Sequence, residues 1–161
     1  MYSFDTIPLE FISSIYEEFV SQQQHQEKSD DKKTDGKREK GVYYTKSHLV
    51  DFVLDNVLPW DEKVWDLKIL DPSCGSGIFL VKAFQRLVHR WENSLSKSEK
   101  QSPNFSKQKK EKVIELLKNN LFGVDIDKHA VRVASFSLYL ALCDELDPKT
   151  LWQEVTFPNL R

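Results

Sequence analysis

Residues 68–80 read KILDPSCGSGIFL. An apolar pair, Ile69 and Leu70, runs into Asp71. Pro-Ser-Cys follows, then Gly75, Ser76 and Gly77, then a second apolar run. The chain has only five glycines, and two of them stand here with one serine between them. Glycine takes positive φ at little cost and puts no side chain between the backbone and a ligand. A helix opening just after Gly77 would add N–H groups and a partial positive charge at its start. The stretch therefore reads as strand, tight glycine turn and helix, with a ligand lying against the turn.

Two common phosphate-binding turns do not fit. A dinucleotide turn needs a third glycine where this chain has Leu80, and an acid about 20 residues further on. The next strand-end acid, Asp125, comes 54 residues after Asp71. The Gly-x-x-x-x-Gly-Lys-Ser/Thr loop of nucleotide triphosphatases is absent.

Outward from the turn, residues 66–71 read as a short strand. Residues 77–91 read as a helix with Phe79, Leu80, Ala83, Phe84, Leu87 and Val88 inward. Residues 92–110 read as a polar loop, residues 112–120 as a helix, and residues 121–127, LFGVDID, as a second strand. A long helix follows over residues 128–146, with Val131, Ala134, Leu138, Ala141 and Leu142 on one face. Before the turn, residues 45–59 predict a helix capped by Thr45 and stopped by Pro59, with Leu49, Val50, Val53, Leu54 and Val57 on one face. This order is the β-α-β-α start of a doubly wound, Rossmann-like α/β sheet, incomplete within the chain. Three parts are expected. Residues 1–20 form a helical segment, residues 21–40 a charged flexible linker without a large apolar residue, and residues 41–161 a partial cofactor-binding domain.

Composition narrows the class. With 161 residues, 40% of them hydrophobic and a net charge of −2, the chain suits a soluble globular domain rather than a strongly basic nucleic-acid binder. Cys74 and Cys143 have neither disulfide nor metal spacing, which fits a reducing cytoplasm, and no histidine pair has zinc spacing. The acidic N-terminus reads as neither a signal peptide nor a membrane span.

Parallel sheets of this kind place ligands beyond the carboxyl ends of their strands. Both expected strands carry an acid at that edge. Asp125 can accept two ribose hydroxyl hydrogens, Ile126 can pack on an adenine face, and Asp71 can meet an ammonium group. S-adenosylmethionine is a ligand with all three features.

The stretch DPSCGSGIFL (71–80) resembles the cofactor motif of amino-group DNA methyltransferases, Asp-Pro-Ala/Ser-Cys-Gly-Ser-Gly-x-Phe-Leu. GVYYTK (41–46) resembles the Gly-x-aromatic-aromatic-Thr-Pro element that precedes it in adenine-N6 enzymes. LFGVDIDKHAVRVASFSLYL (121–140) resembles their second-strand motif. IPLEFISSIYEEFV (7–20) is similar to a segment of large restriction-modification polypeptides that combine cleavage, methylation and recognition. The resemblance covers most of residues 5–160. It implies that Tyr44 and Thr45 contact the methionine carboxylate end of S-adenosylmethionine. It also implies that Asp71 holds the ammonium group, that Ser73, Cys74, Gly75, Ser76 and Gly77 form the cofactor wall, and that Asp125 and Ile126 hold the ribose and adenine. Cys74 is expected to be a small turn residue rather than a nucleophile, and Asp127 a helix cap. Lys46 departs from the family, which has proline there.

The same resemblance says what is missing. Family catalysis uses Asn/Asp/Ser-Pro-Pro-aromatic, which grips the target amino group and stacks on the flipped base. The 161 residues contain no Pro-Pro, so no catalytic residue is assigned. The chain is expected to be the cofactor-binding part of an adenine-N6 DNA methyltransferase of a restriction-modification system, inactive alone. It would arise as a truncated reading frame, an excised piece or a split subunit. DNA would be its partner through the rest of the enzyme, and the exposed sheet edge invites self-association. The alternatives are a cofactor- or partner-binding module without catalysis, or an amino-methyltransferase acting on protein or RNA.

Overall fold

The computed structural model describes residues 45–146 and Ile15. Seven elements follow one another in the order α1 (Ser47–Val57), β1 (Ile69–Asp71), α2 (Ile78–Ser94), α3 (Lys97–Lys100), α4 (Phe105–Asn119), β2 (Leu121–Gly123) and α5 (Lys128–Asp144). The strands pair in parallel, with Ile69 opposite Leu121, Leu70 opposite Phe122 and Asp71 opposite Gly123. The described region is thus mixed α/β, with helices gathered on a small parallel sheet. The helix expected over residues 7–20, apart from the helical Ile15, lies outside the described residues, as do the linker over 21–40 and the tail.

Helix α2 is the centre of the core. It packs against α1, α4, α5 and both strands. Leu80, Ala83, Phe84, Leu87 and Val88 are buried as the helical period predicts, while Phe79 is half-buried. In α5, Ala134, Leu138, Ala141 and Leu142 are buried, and Val131 is half-buried.

Helix α2 also buries two arginines that their charge alone assigns to solvent. Arg90 donates through Nε to the Pro59 carbonyl at 2.7 Å and through Nη1 to that of Val64 at 2.8 Å. Arg86 donates to the Leu58 carbonyl at 3.0 Å and pairs with Asp55 at 2.7 Å. A buried guanidinium is tolerated only where its donors are met. Here the carbonyls that follow α1, with Asp55, meet all of them except Arg86 Nε, and the connection over residues 58–64 is pinned to α2.

Three expectations change. The N-cap of α1 is Lys46 and no side chain caps the helix, so Thr45 is not the cap. Lys46 has the extended backbone of a cap (φ −58°, ψ 135°), which starts the helix one residue later than expected. Second, α1 buries only Val50 and Leu54, while Leu49, Phe52, Val53 and Val57 are exposed, because α2 covers a narrower stripe than the apolar residues occupy. Third, the loop expected over residues 92–110 is largely helical. Ser96 and Glu99 form a reciprocal capping box that starts α3, and α4 begins at Phe105, ahead of the apolar run. Phe105 stacks on Trp91 of α2 with ring centroids 6.3 Å apart, which anchors this early start.

Candidate functional site

The parallel register sets the site. Since Asp71 ends β1 opposite Gly123, the chain leaving β2 passes beside the glycine turn. Two backbone bonds extend the pairing past the strands and a third closes the turn. Val124 N–H donates to the Asp71 carbonyl at 2.9 Å, Cys74 N–H to the Val124 carbonyl at 3.0 Å, and Gly77 N–H to the Cys74 carbonyl at 2.8 Å. Asp125 then lies across the turn. Its Oδ2 accepts the Gly75 N–H at 2.9 Å and its Oδ1 accepts the Asp127 N–H at 2.8 Å. Asp71 accepts the Ser73 N–H through Oδ1 at 3.1 Å, an Asx turn at the strand end.

The two glycines have different reasons. Both take positive φ, 52° at Gly75 and 89° at Gly77. A Cβ at Gly75 would meet nothing within 4 Å, whereas one at Gly77 would stand 2.9 Å from the Cα and Cβ of Ala134 in α5. Gly75 borders open space of the kind a ligand can fill. Gly77 is required by the packing of α5. Gly123, which the sequence reading did not single out, is required by packing too: a Cβ there would lie 2.7 Å from Leu80 Cδ1 and 3.1 Å from Cys74 Sγ.

The turn differs from an anion site. The amides of Ser73, Cys74, Gly75 and Gly77 all donate within the protein. What the turn presents outward is therefore the carboxylates of Asp71 and Asp125. Among the described residues no lysine or arginine pairs with either acid. Acceptors without a cation suit a ligand rich in donors, such as hydroxyl and ammonium groups, and oppose a phosphate. Among the same residues no group of three His, Cys, Asp or Glu side chains could hold a metal ion.

The other expected site residues fall as follows. Cys74 is buried. Burial first, and then the charges of Asp71 and Asp125, push its thiol up to about 11. A neutral thiol is a poor nucleophile. Ser76 is buried, Ser73 exposed, and Ile126 is 91% exposed at the rim beside Asp125. Asp127 caps α5 by accepting the His129 N–H at 2.8 Å, as expected. Thr45 is half-buried and Tyr44 lies outside the described residues. A groove of about 800 Å³ runs beside β2, lined by Leu70, Phe122, Val124, Lys118 and Leu138. It shares Cys74 with the turn but includes neither Asp71 nor Asp125.

Comparison with known proteins gives the family. The family described as the MmeI DNA-methyltransferase domain matches residues 24–150, and the chain belongs to it. RM.Eco57I of Escherichia coli, a type II restriction enzyme and methyltransferase, is 27% identical over 95% of this chain and 17% of its own length. The adenine-specific methyltransferase PglX of Streptomyces coelicolor is 31% identical over 66% of this chain and 8% of its own. The adenine-specific methyltransferase BrxX of Escherichia coli is 31% identical over 46% of this chain and 5% of its own. The chain therefore spans a small part of the length of such relatives. No solved structure matches it. Among the described residues no helix is long and apolar enough to cross a membrane.

Proposed function

We propose that this chain is the S-adenosylmethionine-binding portion of an adenine-N6 DNA methyltransferase acting in restriction-modification. The observation that carries the reading is the pair of carboxylates of Asp71 and Asp125, which no lysine or arginine among the described residues pairs with, on either side of a glycine turn with open space at Gly75. The cofactor fits that donor set. Its ribose hydroxyls and ammonium group are donors, and the turn supplies acceptors. When bound, S-adenosylmethionine supplies an electrophilic methyl group. The chain's own residues do the holding. Asp125 takes the ribose, Ile126 packs on the adenine, Asp71 takes the ammonium group, and residues 73–77 form the wall. Tyr44 and Thr45 close the carboxylate end.

In this reading residues 41–161 begin a doubly wound sheet whose later strands, catalytic Pro-Pro motif and DNA-recognition part belong to a longer enzyme. DNA is met through that remainder, and the chain alone does not methylate. Two relatives named adenine-specific methyltransferases favour adenine as the base. Calorimetric titration of the chain with S-adenosylmethionine and with its demethylated product tests the reading. Binding of both, weakened by Asp125→Ala and unaffected by Cys74→Ala, is expected. Failure of either ligand to bind at millimolar concentration would overturn it.

A further inference from the structure

We propose that Asp125 is a positioning residue for the glycine turn, holding Gly75 in its ligand-facing conformation before any ligand arrives. The inference rests on the assignment of this turn to the cofactor and goes beyond it, because Asp125 would then act on the wall of the site as well as on the ribose.

Gly75 is held from one side only by this carboxylate. Its N–H donates to Asp125 Oδ2 at 2.9 Å, and no Cβ-sized neighbour stands within 4 Å on its open side. The residues around it are fixed differently. Cys74 is tied to the Val124 carbonyl, and Gly77 is tied to the Cys74 carbonyl and packed on Ala134. Gly75 sits between these anchors at φ 52°, where glycine alone has little preference for positive over negative φ. The bond from Asp125 supplies that preference. The carboxylate is itself fixed, since Oδ1 accepts the Asp127 N–H at 2.8 Å and Asp127 caps α5. The first turn of α5 and the cofactor turn are thus joined through one side chain.

The carboxylate can do both jobs. Two oxygens offer about four acceptor sites, of which the two amides use two. Two remain for a pair of ribose hydroxyls. An asparagine cannot substitute, because its NH2 would face one of the two backbone N–H groups.

Residue-resolved amide exchange of the full chain without ligand tests the proposal, in wild type, Asp125→Asn and Asp125→Ala. In Asp125→Ala the Gly75 amide should exchange about tenfold to a hundredfold faster, the range for losing a bond to a charged acceptor. The buried amides of Val113, Leu116 and Leu142 should keep their wild-type rates. A residue that served only the ribose would leave the ligand-free rate at Gly75 unmoved, and one that served only global stability would move all four together. Either outcome overturns the proposal. Should Asp125→Ala not fold, Asp125→Asn gives the reading, with faster exchange at Gly75 or Asp127 and an unchanged melting temperature. Titration with S-adenosylhomocysteine separates the two readings. Asp125-dependent exchange at Gly75 in a chain that binds no adenosyl ligand overturns the cofactor assignment and supports the positioning role. Normal binding with unmoved exchange does the reverse.

Discussion

Gly77 lies against Ala134 so closely that a single added carbon would stand 2.9 Å from the alanine's Cα and Cβ. The contact locks the start of α2 to the middle of α5, and it holds one end of the turn whose other glycine faces open space. Substitution should separate the two functions. Gly77→Ala combines a positive-φ penalty with overpacking against backbone, and should lower unfolding free energy by about 2–4 kcal/mol in urea titration. Gly75→Ala adds only the penalty of left-handed backbone, about 1–2 kcal/mol. It should leave a folded chain whose ligand affinity falls. Equal loss of stability in the two variants would show that Gly75 is also a packing glycine.

The thiol of Cys74 has a pKa of about 11, raised by burial and then by the charges of Asp71 and Asp125. The sign is plain: a raised pKa withholds the thiolate at every pH below it. At pH 8 only about one Cys74 in a thousand is ionised, and the thiolate is the reactive form. Iodoacetamide should therefore modify Cys143, which is half-buried, well before Cys74, as peptide mass spectrometry would reveal. Rapid labelling of Cys74 at pH 8 would revive a thiol role in the turn.

The glycine turn was legible because its residues are constrained by backbone geometry, which sequence states directly. Gly75 and Gly77 both take positive φ, Asp127 caps α5, and β1 ends at Asp71 as its apolar run predicts, whereas β2 stops at Gly123, two residues short of Asp125 and of the strand expected over residues 121–127. What sequence could not state is which long-range contact each residue makes. The apolar residues of α1 outnumber those that α2 covers, so Leu49 and Val53, expected inward, are exposed. Arg86 and Arg90 carry charges that ordinarily stay in solvent, yet carbonyls brought in from residues 58–64 bury them. Two arginines four apart on the apolar face of a helix are the available signal. The stretch over residues 92–110 was misread because its composition is polar. The Ser96-x-x-Glu99 spacing within it is a capping signature that outweighs composition.

Among the described residues β1 and β2 pair only with one another, and the apolar side chains of Leu70, Phe122 and Val124 are 62%, 44% and 57% exposed. An unpaired edge beside exposed apolar surface favours association with another strand. Sedimentation of the chain at micromolar concentration should give dimers or larger species that dissociate on dilution. Phe122→Lys should shift the distribution toward monomer by placing a charge on the exposed face. A monomer at all concentrations would show that this surface is covered by the chain itself.

The ligand groups that the two acids would meet tell them apart. If Asp125 holds the ribose and Asp71 the ammonium group, ligands that lack one feature should respond to one substitution only. S-adenosylhomocysteine carries both features, and methylthioadenosine carries the ribose without the amino acid. Asp125→Ala should weaken both ligands, each by about 1.5–3 kcal/mol, the range for hydrogen bonds to a charged group. Asp71→Ala should weaken S-adenosylhomocysteine by a similar amount and leave methylthioadenosine nearly unchanged. Some loss in common is expected, since Asp71 also accepts the Ser73 N–H at 3.1 Å and helps shape the turn. The difference between the two ligands cancels that shared part. Dinucleotides and nucleoside triphosphates should compete poorly, because the amides of Ser73, Cys74, Gly75 and Gly77 are already donated within the protein. Calorimetry across the two variants and two small ligands gives a closed cycle. Equal losses for both ligands in Asp71→Ala would remove the ammonium assignment and leave Asp71 as a turn residue alone.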